Sequence, residues 1–147
     1  MNVEIRKPNS EKEWLDYFDL RYRILRKPLN QPLGTEKNEG DEAGIHFALY
    51  KNNVLKAIAR LDIQENNIAQ VRFVAVEENQ QGFGFGKKIM LEIEANCKEI
   101  GIQKIILHAR DYAVDFYLKL DYKIIEKSYK LFDVLQHFLM EKELINK

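Results

Sequence analysis

Gln81-Gly82-Phe83-Gly84-Phe85-Gly86-Lys87 sets three glycines in seven residues directly before a strong helical repeat. From there the apolar residues Phe85, Ile89, Met90, Ile93, Cys97 and Ile100 recur at three- and four-residue steps, and Gly101 stands where a C-cap glycine belongs. The spacing predicts a helix over 85–100, with Cys97 on the same buried face as Ile93 and Ile100. Residues 68–76 in front of the turn read as a strand. A strand, a glycine turn and a helix in that order suit an anion. Glycine admits positive φ and removes the side chain that would hold a bulky group away. The first helical amides point outward without partners, and the helix dipole adds partial positive charge.

On the N-terminal side, residues 45–50, 54–63 and 68–76 are apolar or alternating runs parted by Lys51-Asn52-Asn53 and Glu65-Asn66-Asn67, which predicts three antiparallel strands joined by hairpins. Residues 3–7 suit a short strand closed by Pro8. Ser10 with Glu13 forms a capping-box pattern, and Trp14, Leu15, Phe18, Tyr22 and Leu25 follow at helical spacing, so a helix is expected over 11–26. The stretch through Pro28, Pro32 and Gly34 to the acidic residues Glu36, Glu39, Asp41 and Glu42 is the longest loop. On the C-terminal side, residues 102–109 are strand-like, Asp111 can cap a short helix to Leu120, and 122–127 and 134–140 read as strands. Helices inserted among strands give an α/β (α+β) sandwich in one domain, residues 1–147.

The composition excludes several classes of function. An apolar share of 46% with 31% charged residues is that of a soluble globular chain. Lysine plus arginine and aspartate plus glutamate both count 23, leaving no positive field to attract nucleic acid. One cysteine excludes an intramolecular disulfide, and no HxxxH or HExxH spacing supports a metal. With no signal-peptide core and no membrane-length apolar run, a cytoplasmic protein without a membrane partner is expected.

Several readings compete for the glycine turn. A Walker loop needs GxxxxGK followed by Ser or Thr, whereas Lys87 is followed by Lys88 at the wrong spacing. A dinucleotide fold wants GxGxxG after the first strand, but this turn follows four and reads GxGxG. The segment also approaches the RNP1 sequence of RNA-recognition sheets, which requires its aromatics on a strand. A turn that merely connects strand to helix is the remaining option.

Gln81-x-x-Gly84-x-Gly86 resembles the Q/R-x-x-G-x-G/A signature of the GNAT acetyltransferase superfamily, and the segment Ala113-Val114-Asp115-Phe116-Tyr117-Leu118-Lys119-Leu120-Asp121-Tyr122 is similar to that family's A-x-x-F-Y-x-x-L-G-F/Y. Two motifs in order, with a helix and a strand between them, are more specific than either alone. The resemblance implies a mixed, mainly antiparallel twisted sheet of about seven strands flanked by helices, with strands four and five splayed around acetyl-CoA. It implies that Val74, Ala75 and Val76 border the pantetheine arm, and that Gln81, Gly82, Phe83, Gly84, Phe85, Gly86 and Lys87 take the pyrophosphate. Arg110 stands where the family often has an asparagine. It can donate to a carbonyl or reach a phosphate. Asp121 replaces the common glycine of the L-G-F/Y turn, where aspartate tolerates the left-handed conformation.

The resemblance further implies transfer of acetyl to the amine of a small molecule or peptide. It matches Tyr117 to the phenol that returns a proton to the CoA sulfur, and a strand-four amide near Val76 is the family-like donor to the oxyanion. A phenol with reference pKa near 10 suits the proton-donor role, and the same aromatic pair could simply anchor a short helix. For the base, the candidates are the acidic loop, His46, His108, His137 and a water chain, with His108 the first to test. Cys97 reads as a buried structural thiol. The same fold could serve as a non-catalytic acyl-CoA sensor. The exposed edges of the last strands could support a homodimer.

Overall fold

The computed structural model describes residues 2–144; Met1 and residues 145–147 of the expected domain lie outside the described residues. Seven strands form one sheet: β1 (Val3–Arg6), β2 (Ile45–Lys51), β3 (Val54–Ile63), β4 (Ile68–Val76), β5 (Lys104–Arg110), β6 (Lys123–Leu131) and β7 (Leu135–Glu143), in spatial order β1-β2-β3-β4-β5-β7-β6. Asn52 and Asn53, then Asn66 and Asn67, all take positive φ, the conformation that tight hairpin turns demand and asparagine tolerates. β4 and β5 run parallel; the other pairs are antiparallel.

Three α-helices cover the sheet: α1 (Glu11–Leu25), α2 (Phe85–Glu99) and α3 (Val114–Leu118). α1 buries Tyr17 and Leu20 against Ala48, Ile58 and Ala75 on one face. On the other face α2 buries Ile89, Met90, Ile93 and Cys97 against Leu49, Leu61, Val71 and Ile105. Fully burying one such aliphatic side chain contributes roughly 1.5–3 kcal/mol.

Local details depart from expectation. Ser10 Oγ accepts from Glu13 N at 3.1 Å, but the Glu13 carboxylate turns to Asn9 N and to Arg6, so only half of the capping box forms. α2 ends one residue early and Ile100 is 54% exposed, because Gly101 at φ 85° swings the chain away before Ile100 can join Cys97 in the core. Asp111 does not cap a helix to Leu120. It begins a 3-10 turn (Asp111–Ala113), and the α-helical part is five residues. β6 runs on past Lys127 to Leu131 because Phe132 and Asp133 both take positive φ and close a hairpin that no glycine or asparagine announces.

Candidate active site

β4 and β5 stay in register only from Ile68–Lys104 to Val71–Leu107. At that point β4 carries a bulge: β3 advances two residues from Ile58 to Arg60 while β4 takes three from Ala75 back to Arg72. Phe73 sits in it at φ 56°, a left-handed conformation that costs a non-glycine residue roughly 1–2 kcal/mol. Its ring is held among four guanidinium groups, with Arg21, Arg60, Arg72 and Arg26 at 4.2, 5.0, 5.1 and 5.5 Å from the centroid, and such cation–π contacts offset the strain. The extra residue increases the local twist, and the end of β4 turns away from β5.

A cavity of about 1010 Å³ opens where the strands part. Its β4 wall is residues 70–76, and the backbone of residues 72–76 has no partner in β5. An unpaired strand edge is a template for any extended chain that offers amide donors and acceptors.

The glycine turn closes one end. Gly82 and Gly84 have φ of 90° and 83°, and Gly84 is the N-cap of α2. The first helical bond runs from Lys88 N to Gly84 O at 3.0 Å, so the amides of Phe85, Gly86 and Lys87 lack intrahelical partners. No acidic residue stands in this first turn, whereas α1 begins with Glu11 and Glu13. The helix dipole at α2 is thus left for an external anion. Gly86 serves a different end: a Cβ there would come within 3.2 Å of Phe116 Cζ, so its absence lets α3 approach α2.

Of the residues named from the sequence, Val74, Ala75, Val76, Gln81, Gly82, Gly84, Phe85, Gly86, Lys87, His108, Arg110 and Tyr117 all line this one cavity. Phe83 does not; it is 68% exposed. Phe83 on a turn and Phe85 buried in α2 also remove the RNA-recognition reading, which needs both on a strand.

Tyr117 is buried, edge-on to Phe116 at 4.9 Å. Burial, then the neighbouring Tyr112 phenol, raises its pKa well above the usual value; Arg110 pulls the other way. The phenol is therefore protonated at neutral pH. Tyr112 and Tyr122 have protein partners for their hydroxyls, and among the described residues Tyr117 has none. His108 faces the cavity from β5 with Nδ1 buried and unpartnered. Burial, then Arg72, lowers its pKa, so the ring is neutral at pH 7.

The other candidates are built into the frame, although His137 and Arg110 line the cavity as well. Asp41 Oδ1 accepts from Arg21 at 2.8 Å and Arg60 at 2.9 Å, joining two fully buried arginines. Glu36 is buried and accepts from Gly34 N. His46 is held between Tyr17 Oη and Asp41 O, and His137 Nδ1 bonds Leu135 O. Burial pushes the Cys97 thiol up to about 11. Arg110 donates to Leu25 O at 2.8 Å and Tyr112 Oη at 3.1 Å, tying β5 to the end of α1. Sequence reasoning missed Phe73, Arg72 and Arg26: on β4 an arginine and a phenylalanine look like ordinary strand alternation, and nothing local marks the bulge.

The family of the acetyltransferase (GNAT) domain matches residues 27–144. A Bacillus subtilis (strain 168) protein provisionally named an acetyltransferase is 28% identical over 144 residues, covering 96% of this chain and 97% of that one. Among solved structures, an aminoglycoside 6'-N-acetyltransferase complexed with coenzyme A superposes at a TM-score of 0.81 with 16% identity, over 100% of this chain and 99% of the other. The PaiA N-acetyltransferase of Thermoplasma acidophilum, also in complex with coenzyme A, gives 0.76 with 16% identity over 97% and 99%. With a family match across most of its length and the parted fourth and fifth strands of that fold, the chain belongs to the GNAT acetyltransferase family.

Proposed function

We propose that this chain transfers an acetyl group from acetyl-CoA to a primary amine by direct attack in a ternary complex. The observation that carries the reading is one continuous cavity. It joins the bare N-terminus of α2, the unpaired edge of β4 and the Tyr117 phenol. A pyrophosphate suits the amides of Phe85, Gly86 and Lys87, with the Lys87 ammonium beside them. The two amides of a pantetheine arm suit the free backbone of Val74 and Val76, and that wall leads from the glycine turn toward Tyr117 and His108.

In the reaction the amine nitrogen bonds the thioester carbonyl carbon and the carbon–sulfur bond breaks. A β4 amide near Val76 steadies the oxyanion. With its pKa raised, the Tyr117 phenol hands a proton to sulfur only as it takes up the one the amine releases, so it acts as a relay. Neutral His108 can accept a proton from an ammonium, directly or through water.

The test is thiol release from acetyl-CoA in the presence of amine pools, with Tyr117→Phe alongside. Loss of general acid–base help lowers kcat about 100-fold or more, with acetyl-CoA affinity kept. Full activity in Tyr117→Phe would remove the relay. Tight acetyl-CoA binding with transfer to no amine would leave a sensor domain instead.

A further inference from the structure

The chain has seven arginines. Arg6, Arg21, Arg23 and Arg60 each pair with a carboxylate. Among the described residues, Arg26, Arg72 and Arg110 pair with none, and all three line the cavity. We propose that the amine acceptor of this enzyme carries an anionic group, a carboxylate or a phosphate, bound by Arg72 together with Arg26 and Arg110; this rests on the acetyl-transfer reading above.

The three come together for a topological reason. Ile105, Leu107 and Ala109 of β5 pack into the α2-side core, so His108 and Arg110 point to the opposite face. Val71 likewise faces α2, and Arg72 stands on the face of His108. Arg110 lies opposite His137 on β7, whose ring stacks on Tyr129 at 4.5 Å. α1 covers this face mainly over β3 and β4, and its C-cap residue Arg26 lines the open remainder.

The bland explanation accounts for part of the cluster. Arg26 and Arg110 both donate to Leu25 O, at 3.1 and 2.8 Å, and so cap the negative end of α1. Carbonyls do not cancel their charge: burial, then Arg110, pulls the Arg26 pKa down, Arg110 bears on both Tyr129 and His137, and Arg72 bears on Tyr129. Arg72 has no capping duty. It is half-buried, stands over Phe73, and its side chain makes no hydrogen bond among the described residues. Among the described residues the only carboxylate lining the cavity is Glu78, in the turn just before the glycines. A polycationic acceptor would therefore meet three guanidinium groups with no counter-charge. An anion would meet planar donors suited to bidentate recognition.

The test is kcat/KM on paired acceptors: amino acids against their carboxamides, O-phosphoethanolamine against ethanolamine, with spermidine and kanamycin as polycations. The first two arms separate carboxylate from phosphate. The anionic member of a pair is expected to win by about tenfold or more, as charge-assisted hydrogen bonds allow. Arg72→Gln should erase that ratio through KM, and Arg72→Lys should retain part of it. Acetyl-CoA-induced thermal stabilisation is followed in parallel for each protein. Its absence in wild type would sink the acetyl-transfer reading itself. With it present, the inference fails alone if carboxamides or polycations are used as well as the anions, if no anionic acceptor turns over, or if Arg72→Gln keeps the preference.

Discussion

Asp41→Ala separates the two readings of the acidic loop, a source of catalytic base and a structural strut. The carboxylate is 14% exposed, while the side chains of Arg21 and Arg60 are 0% exposed. Its Oδ1 accepts from both arginines and its Oδ2 from Asn38 N at 3.0 Å. Burial alone would raise the Asp41 pKa, but the bonds from Asn38, Arg21 and Arg60 outweigh it and hold the carboxyl below the usual range. Removing one partner of a buried ion pair costs about 3–5 kcal/mol. Arg60 keeps its paired bonds to Asp62 and Arg21 keeps Glu36 O, which places the cost at the low end, about 3 kcal/mol. For a domain of this size that lowers Tm by about 10 °C. Scanning calorimetry at pH 7 reads the shift, and thiol release at a temperature well below the variant's Tm reads the chemistry. The strut reading expects a large Tm loss with kcat per folded molecule close to wild type, since Asp41 does not line the cavity. An unmoved Tm with a collapsed kcat would refute it and return Asp41 to the list of bases.

Two further perturbations probe the frame and the turn. Burial lowers the pKa of His46, His108 and His137 below 6.5, so the unfolded chain binds more protons as pH falls. Tm should drop from about pH 6.5 downward, and again below about 4.5 as Asp41, Glu13 and Glu77, all lowered, take up protons; a Tm that holds or rises from pH 7 to 5 would contradict this. Gly84 and Gly101 sit at opposite ends of α2 at φ 83° and 85°, each with open space where a Cβ would go. Alanine at either should cost about 1 kcal/mol, yet only Gly84→Ala should weaken acetyl-CoA binding by calorimetry. Equal affinities in the two variants would argue against the glycine turn as the anion site.

Much of this was legible in the sequence because it rests on short-range rules. Period-two alternation, asparagine pairs and Gly101 mark β2, β3, β4 and α2 within one or two residues. The two spaced motifs bring Gln81, Gly84, Gly86 and Tyr117 to one cavity. What was not legible depends on distant partners. Phe73 takes its left-handed φ in a bulge where arginines from α1 and β3, far away in sequence, join Arg72 of β4 around its ring. In the sequence Asp41 is one of four acidic loop residues, and only the fold puts two buried guanidinium groups against it. Arg72 and Arg26, twin polar residues in sequence, become neighbours only when α1 ends over the gap between β4 and β5.

The most direct test of the central claim is an amide-resolved NMR titration with acetyl-CoA. Shifts concentrated at Val74 and Val76, at Gly82 to Lys87, and at residues flanking Tyr117 are the expected result, since these bound the gap where β4 leaves β5. Saturable shifts confined to another surface, or none at millimolar acetyl-CoA, would contradict the assignment of that gap as the cofactor site.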